Sequence, residues 1–290
     1  MPSPMPKPTF LLAVATTLAV LGGCATPSAL RAEAPPSSAK KQQVSALLKS
    51  LETGDPAPAS VINPSKYIQH NLAVPDGLAG FAALAKTLTP GSTRANPVRV
   101  FEDGDFVFAH TQYEFFGPKV GFDIFRFEDG KIVEHWDNLQ ERPSTPNPSG
   151  HTLIDGPTSV TNVEKTEQNK AQVRDFLTAV LVNGQVDKLA SFIDGEHYTQ
   201  HNPNIADGLS GLGSGLKAMA EKGVTMKYER IHKVLGEGNF VLAVSEGKFA
   251  GQPTSFYDLF RLENGKLVEH WDTLETIPPR ESWKNLNGKF

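Results

Sequence analysis

The sequence predicts an α+β fold present twice in one chain, and three observations predict it. DIFRFEDGKIVEHWD at Asp123–Asp137 returns as DLFRLENGKLVEHWD at Asp258–Asp272. YIQHN at Tyr67–Asn71, with a trailing Asp76-Gly77, returns as YTQHN at Tyr198–Asn202 with Asp207-Gly208. In each copy helical patterning comes first and period-two patterning afterwards, which sets helices on one face of a sheet. The copies are offset by 131 residues at the earlier echo and 135 at the later one. A period this long marks whole domains rather than solenoid repeats of about 20 to 50 residues.

Copy 1 opens with KQQVSALLKSLETGD, whose Val44, Leu47, Leu48 and Leu51 fall on one helical stripe, and copy 2 opens with QNKAQVRDFLTAVLVNGQ on the same plan. Copy 2 adds a short helical stretch, VDKLASFI, and both copies show a further helix, GLAGFAALAKTL and GLSGLGSGLKAM. The pattern then alternates: RVFEDGDFVFAHTQYEFF, GFDIFRFEDG and KIVEHWDNLQ read as strands of an antiparallel meander, with Asp129-Gly130 and Asn264-Gly265 as hairpin turns. YIQHN reads as a helix-to-loop passage.

The length of 290 residues fits two domains, and the expected layout follows. A lipoprotein signal spans 1–23, a flexible tether 24–40, the first domain 41–141, a Pro/Ser/Thr/Asn linker 142–163, the second domain 164–278 and a tail 279–290. The signal has one basic residue, Lys7, and an apolar run from Phe10 to Leu21 that is too short for a comfortable membrane span. Leu21-Gly22-Gly23-Cys24 resembles the bacterial lipobox, and Cys24 is the only cysteine, so an internal disulfide is excluded. Lipidation at Cys24 is therefore expected, with export to the periplasmic face of a bacterial membrane. Ala25 after the cysteine, where Asp would favour inner-membrane retention, points to the outer membrane. A net charge of −4 with no Lys/Arg block gives no electrostatic footprint for nucleic acid or anionic lipid.

Strand alternation places Asp123 on one face with Phe125 and Phe127, and Val133, His135 and Asp137 on one face of the next strand. Two carboxylates and an imidazole thus share an apolar concavity, where lost hydration raises a carboxyl pKa towards the range useful for proton transfer. His70 is the expected fourth member, and copy 2 supplies His201, Asp258, His270 and Asp272. Tyr67, Asn71, His110 and Phe125, with Tyr198, Asn202 and Phe260, are expected around the pockets; Tyr67, Gln69 and Asn71 also read as hydrogen-bonding fasteners. His135 also reads as a satisfied core histidine, and Trp136 and Trp271, of opposite parity, as sheet-packing aromatics. His135-x-Asp137 with His70 has the spacing of a metal site as well, but so short a spacing arises readily by chance and no H-E-x-x-H or cysteine cluster accompanies it. No metal is expected.

The phrases Y-I-Q-H-N with D-G, and D-I-F-R-x-x-x-G-K-I-V-E-H-W-D, resemble the SnoaL-like branch of the NTF2-like superfamily in both copies. The resemblance implies two tandem cone-shaped α+β barrels, each a curved antiparallel sheet wrapped around helices with a pocket at one end. It also implies cofactor-independent chemistry, since the name-giving members are polyketide cyclases that close a ring by aldol condensation with an acidic residue. Ketosteroid isomerases, more distant members, carry an acid in a D-x-x-R phrase that Asp123 and Asp258 match, and a base near the places of His70 and His201.

The expected protein is thus lipid-anchored, with pockets for small apolar carbonyl compounds and acid/base chemistry of the aldol or isomerisation type. Its two copies are expected to pack sheet against sheet as an intramolecular pseudo-dimer. The alternative is a non-catalytic ligand-binding or envelope scaffold module.

Overall fold

The computed structural model describes Met1, Ser3 and residues 38–290, so the expected signal segment, Cys24 and most of the tether lie outside the described residues. Ser38 caps the first helix, its Oγ accepting from the Lys41 N–H at 3.2 Å, and α1 (Ala39–Thr53) buries Val44, Leu47 and Leu48. The stripe at i, i+3, i+4 is what an amphipathic helix needs to lie on a sheet. A second helix, α2 (Gly77–Thr87), follows before the strands begin. Copy 2 has α3 (Thr166–Phe176), continued by a π-helical stretch Leu177–Val182, then the short α4 (Leu189–Phe192) and α5 (Gly208–Glu221). No helix among the described residues is long and apolar enough to cross a membrane.

Sheet 1 contains β1 (Ile68–Gln69), β2 (Arg94–Asp103), β3 (Phe106–Glu114), β4 (Pro118–Glu128) and β5 (Lys131–Glu141), in the order β1-β5-β4-β3-β2. Sheet 2 repeats this with β6 (Thr199–Gln200), β7 (Met226–Glu237), β8 (Phe240–Phe249), β9 (Gln252–Glu263) and β10 (Lys266–Thr276), in the order β6-β10-β9-β8-β7. The architecture is α+β with two five-stranded sheets. The long strands are antiparallel, and Asp129-Gly130 and Asn264-Gly265 turn them with φ of 50° and 74°, and 49° and 76°. Paired positive φ values are those of a type I′ turn, which only Asn, Asp and Gly adopt readily. Pro97 lies on β2, an edge strand, where its missing N–H is tolerated.

The sheets are mixed rather than purely antiparallel, because YIQHN is no helix-to-loop passage. Its centre is β1, parallel to β5 with Gln69 opposite His135; in copy 2, Gln200 stands opposite His270. The trailing aspartates of the repeated phrase hold these short strands, Asp76 Oδ1 accepting from the Gln69 N–H and Asp207 Oδ1 from Gln200 N–H, both at 2.9 Å.

Each sheet has two buried faces. One packs on its helices: α1 residues with Val107, Ala109, Phe125 and Phe127 in copy 1, and α3 residues with Val241, Ala243, Phe260 and Leu262 in copy 2. The other faces the other copy. Phe101, Phe108, Phe122, Ile124 and Trp136 share a core with Phe240, Leu242, Val244, Leu259 and Trp271. Phe101 and Phe240 rings lie 4.8 Å apart, and Asn138 Nδ2 donates to the Thr273 carbonyl at 2.8 Å. Strands alternating between two apolar surfaces read as near-continuous hydrophobic runs, as β4 and β9 do.

The segments after the two meanders cross over. Residues 142–162 carry no helix or strand, yet they are fastened on copy 2: Asn147 Nδ2 donates to the Gln200 and Ile205 carbonyls at 2.6 and 3.1 Å. The tail does the same on copy 1, with Asn285 Nδ2 donating to the Asn71 and Val74 carbonyls at 2.8 and 3.0 Å. Asn147-Pro-Ser-Gly150 and Asn285-Leu-Asn-Gly288 are thus a third echo of the repeat. The stretch expected as a loose linker is ordered because its polar groups satisfy backbone atoms of the neighbouring copy.

Candidate functional site

Cross-strand register builds the site. Asp123 stands opposite Asp137 and Phe125 opposite His135 on β4 and β5; Asp258 faces Asp272 and Phe260 faces His270 on β9 and β10. Bulges near Val133 and Val268 shift the register, so that Ile132 and Leu267 join the helix-side cores while the three functional residues keep the pocket face. The copy-1 cavity, about 470 Å³, is lined by Tyr67, Gln69, Asn71, Asp123, Phe125, His135 and Asp137 among apolar groups from α1 and α2. The copy-2 cavity is about 750 Å³ and holds Tyr198, Gln200, Asn202, Asp258, Phe260, His270 and Asp272. Both volumes suit a small molecule.

The hydrogen bonds fix the proton inventory. Gln69 Oε1 accepts from the Asn71 N–H at 2.8 Å, which identifies it as the amide oxygen, and His135 Nδ1 lies 2.9 Å from the same atom. Nδ1 therefore carries a hydrogen, and Nε2 faces Asp123 Oδ1 at 3.4 Å. In copy 2, Gln200 Oε1 accepts from Asn202 N–H at 2.8 Å and lies 3.0 Å from His270 Nδ1, while Nε2 is 3.1 Å from Asp258 Oδ1. In each copy the imidazole Nε2 is thus set against a carboxylate oxygen.

The facing aspartates differ in their ties. Asn71 Nδ2 donates to Asp137 Oδ2 at 2.6 Å and Asn202 Nδ2 to Asp272 Oδ2 at 2.7 Å, whereas Asp137 Oδ1 and Asp272 Oδ1 are buried with no hydrogen-bond partner. Burial pushes Asp123 and Asp272 above the usual carboxylate value, and the neighbouring carboxylate adds to the shift. Burial also pulls His270 down, but the hydrogen bond to Asp258 and the charges of Asp272 and Asp258 outweigh it, and its net shift is upward. Two carboxylates side by side in an apolar wall cannot both ionise cheaply. The three groups in each pocket also lie within 4.8 Å by their donor atoms, close enough to hold a metal ion.

Two tyrosines were not singled out in the sequence. Tyr113 Oη donates to Asp123 Oδ2 at 2.7 Å, and Tyr228 Oη lies 3.2 Å from both oxygens of Asp258. They occupy different strands, β3 and β7, so no repeated phrase contains them.

Three expected site residues lie elsewhere. His70 and His201 do not line the cavities; they stack on Trp136 and Trp271 at 4.7 and 4.5 Å and bond to Glu134 and Glu269 at 3.0 and 2.9 Å. The reason is parity: with β1 and β6 as strands, Tyr67, Gln69 and Asn71 point to the pocket and His70 points away. Burial holds His70 below the ordinary histidine value. His110 is also on the far face of β3, stacked on Phe122 at 4.3 Å and 3.2 Å from Arg99 Nη1. The remaining pocket residues, Tyr67, Asn71, Phe125, Tyr198, Asn202 and Phe260, line the cavities.

No protein-family model matches the chain, and no curated protein does. Solved structures do. An NTF2-like protein of unknown function from Mesorhizobium loti aligns at 19% identity over 36% of this chain and 96% of its own, with a TM-score of 0.31. A SnoaL-like polyketide cyclase from Agrobacterium tumefaciens aligns at 13% identity over 37% and 91%, TM-score 0.30. An LEH-like epoxide hydrolase from M. tuberculosis aligns at 20% over 38% and 85%, TM-score 0.30.

Proposed function

We propose that each copy binds a small, largely apolar, carbonyl-bearing molecule and, in copy 2 at least, moves a proton on it with its own side chains. The observation that carries this is the facing pair of aspartates: one tied to histidine and tyrosine, the other with a bare oxygen in an apolar wall. Asp272 Oδ1 takes the proton from a C–H beside the carbonyl. The proton held between Asp258 Oδ1 and His270 Nε2 goes to the developing enolate oxygen, with the Tyr228 hydroxyl supporting that carboxylate. Asp137, Asp123, His135 and Tyr113 stand in the corresponding places in copy 1. Such chemistry serves an aldol cyclisation or an isomerisation, as the SnoaL-like resemblance implies, and a dry, preorganised donor set is what stabilises an oxyanion. His70 and His201, which face away, have no part in it.

A binding-only reading is favoured for copy 1. The buried Lys289 ammonium sits 3.7 Å from Asp137 Oδ1, and no Lys or Arg lies as close to Asp272 among the described residues. The test is deuterium incorporation next to the carbonyl of small aryl and alkyl ketones in D2O. Wild type is expected to exchange and Asp272→Asn to lose most of the rate; ligand-raised thermal stability without exchange in either form would leave binding alone.

The proposal extends to the setting: a chain exported and held by lipid at Cys24 on the periplasmic face of the outer membrane, soluble as a monomeric pseudo-dimer once the anchor is absent. Cys24→Ser is expected to move the protein from the membrane to the soluble fraction. Sedimentation of that variant as a dimer would count against the pseudo-dimer.

A further inference from the structure

Away from the two cavities, His151, Asp155 and His201 bring two imidazoles and a carboxylate together with donor atoms within 4.8 Å of one another. We propose that these three side chains bind a first-row divalent metal ion of the Zn2+ type. Both Nδ1 atoms face the same carboxylate: His201 Nδ1 lies 2.7 Å from Asp155 Oδ1, and His151 Nδ1 4.0 Å from Asp155 Oδ2. Both Nε2 atoms are held from behind by another carboxylate, His201 by Glu269 at 2.9 Å and His151 by Asp207 at 3.1 Å. A carboxylate behind each ligating imidazole fixes the tautomer with the hydrogen on Nε2 and raises the donor strength of Nδ1.

That tautomer sets an unprotonated nitrogen against oxygen atoms. With its hydrogen on Nε2, His201 turns a bare Nδ1 lone pair towards two oxygens, Asp155 Oδ1 and the Thr152 carbonyl, each at 2.7 Å. His201 is 1% exposed, so water does not relieve the contact. A metal ion bound at Nδ1, with the oxygens drawn back to ligand distance, would relieve this contact. Two imidazoles and one carboxylate with room for an exogenous ligand form a donor set suited to Zn2+. The nearby charges are three carboxylates, Asp155, Asp207 and Glu269, against the two guanidiniums of Arg99 and Arg261.

The loop that carries two of the ligands is built in place. Arg99, from the other copy's β2, donates through Nε to the Pro157 carbonyl at 2.8 Å and through Nη1 to the Ile154 carbonyl at 3.1 Å. Trp271 Nε1 donates to the Asp155 carbonyl at 3.0 Å, and Asp155 Oδ1 accepts from the Thr152 N–H at 3.1 Å. Gly156, with φ of 91°, makes the close approach possible, since a Cβ there would fall 2.6 Å from Glu269 Oε1. The side chains of His151 and Asp155 remain 32% and 43% exposed, which leaves an ion a route in. Among the described residues copy 1 has no such site: Lys289 follows the Asn-x-x-Gly turn where His151 does in copy 2, and the His70 ring meets the Gly288 carbonyl instead.

The experiment is calorimetric titration of the full chain, stripped with a chelator and dialysed, with Zn2+, and with Co2+ followed by its visible absorption. One tight site is expected in wild type and in His135→Gln/His270→Gln, which removes both pocket clusters. Asp207→Asn, behind His151, is expected to weaken binding about 10-fold, and His151→Gln/Asp155→Asn by more than about 100-fold. The latter two positions are at the surface, and unchanged circular dichroism confirms folding. No Zn2+ binding by the wild type at millimolar concentration, or undiminished binding by His151→Gln/Asp155→Asn, overturns the proposal; the latter result places the ion elsewhere.

Discussion

Tyr113 and Tyr228 occupy opposite members of equivalent cross-strand pairs in the two copies and reach equivalent aspartates, Asp123 and Asp258. In copy 1 the pair is Ala95 on β2 and Tyr113 on β3; in copy 2 it is Tyr228 on β7 and Gly247 on β8. The residue opposite is small in each case, and each phenol ends on the carboxylate of the repeated D-x-F-R phrase. A hydroxyl delivered to the equivalent carboxylate of each copy from a different strand is a constraint on the site rather than on the fold.

Tyr113→Phe and Tyr228→Phe are therefore expected to weaken exchange or ligand affinity in their own copies by about 10- to 100-fold, the usual range for a hydrogen bond to a charged group. Moving the ring, with Ala95→Tyr and Tyr113→Gly together, is expected to restore most of what Tyr113→Gly alone loses. A double-mutant cycle on copy-1 ligand affinity reads the coupling, and simple additivity of the two changes would remove the role.

Asp123 couples stability to pH. Burial raises its pKa above 3.8, so the folded state holds the proton more tightly than the unfolded chain. The stability this contributes is full below the unfolded value and is lost as pH rises through the raised folded value. Asp272 behaves alike, and the raised His270 loses its contribution as pH climbs through its folded value, above 6.5. Asp123→Asn, whose amide still donates to His135 Nε2 and accepts from Tyr113, is expected to raise the Tm at pH 7 by about 2–4 °C, the shift of about 1 kcal/mol in a chain this long. The gain should vanish near pH 3, as thermal scans across that range will show.

The exchanged arms make each copy's pocket wall depend on the other copy's connection. Asn285→Ala is expected to cost about 1–3 kcal/mol, because the Val74 carbonyl loses its side-chain donor and the Asn71 carbonyl keeps only the Val74 N–H. Hydrogen exchange should quicken over residues 67–76 and stay unchanged over 198–207. Asn147→Ala should give the reverse pattern.

Phe116 stands at φ 50° in the β3–β4 turn, 71% exposed, at the rim of the copy-1 cavity. A bulky residue in the left-handed region costs roughly 1–2 kcal/mol. Phe116→Asn is expected to recover about 1 kcal/mol in urea unfolding, since Asn accepts that conformation, and to weaken binding of an apolar dye to copy 1.

Alternation and turn chemistry were enough to read much of this molecule from its residues. The two copies, the Asp-Gly and Asn-Gly hairpins, and the single face shared by Asp123, His135 and Asp137 all follow from a period of two along strands joined by tight turns. Those signals are local, and each is carried within about fifteen residues of chain. The orientation of His70 and His201 is different in kind: β1 and β6 are two residues long, too short to show a period, and only pairing with β5 and β10 fixes their phase. The tyrosines that complete the site depend on which residues stand opposite across the sheet. The crossed arms and the His151–Asp155–His201 cluster join segments whose proximity depends on sheet packing and long-range hydrogen bonds, so tertiary structure alone decided them.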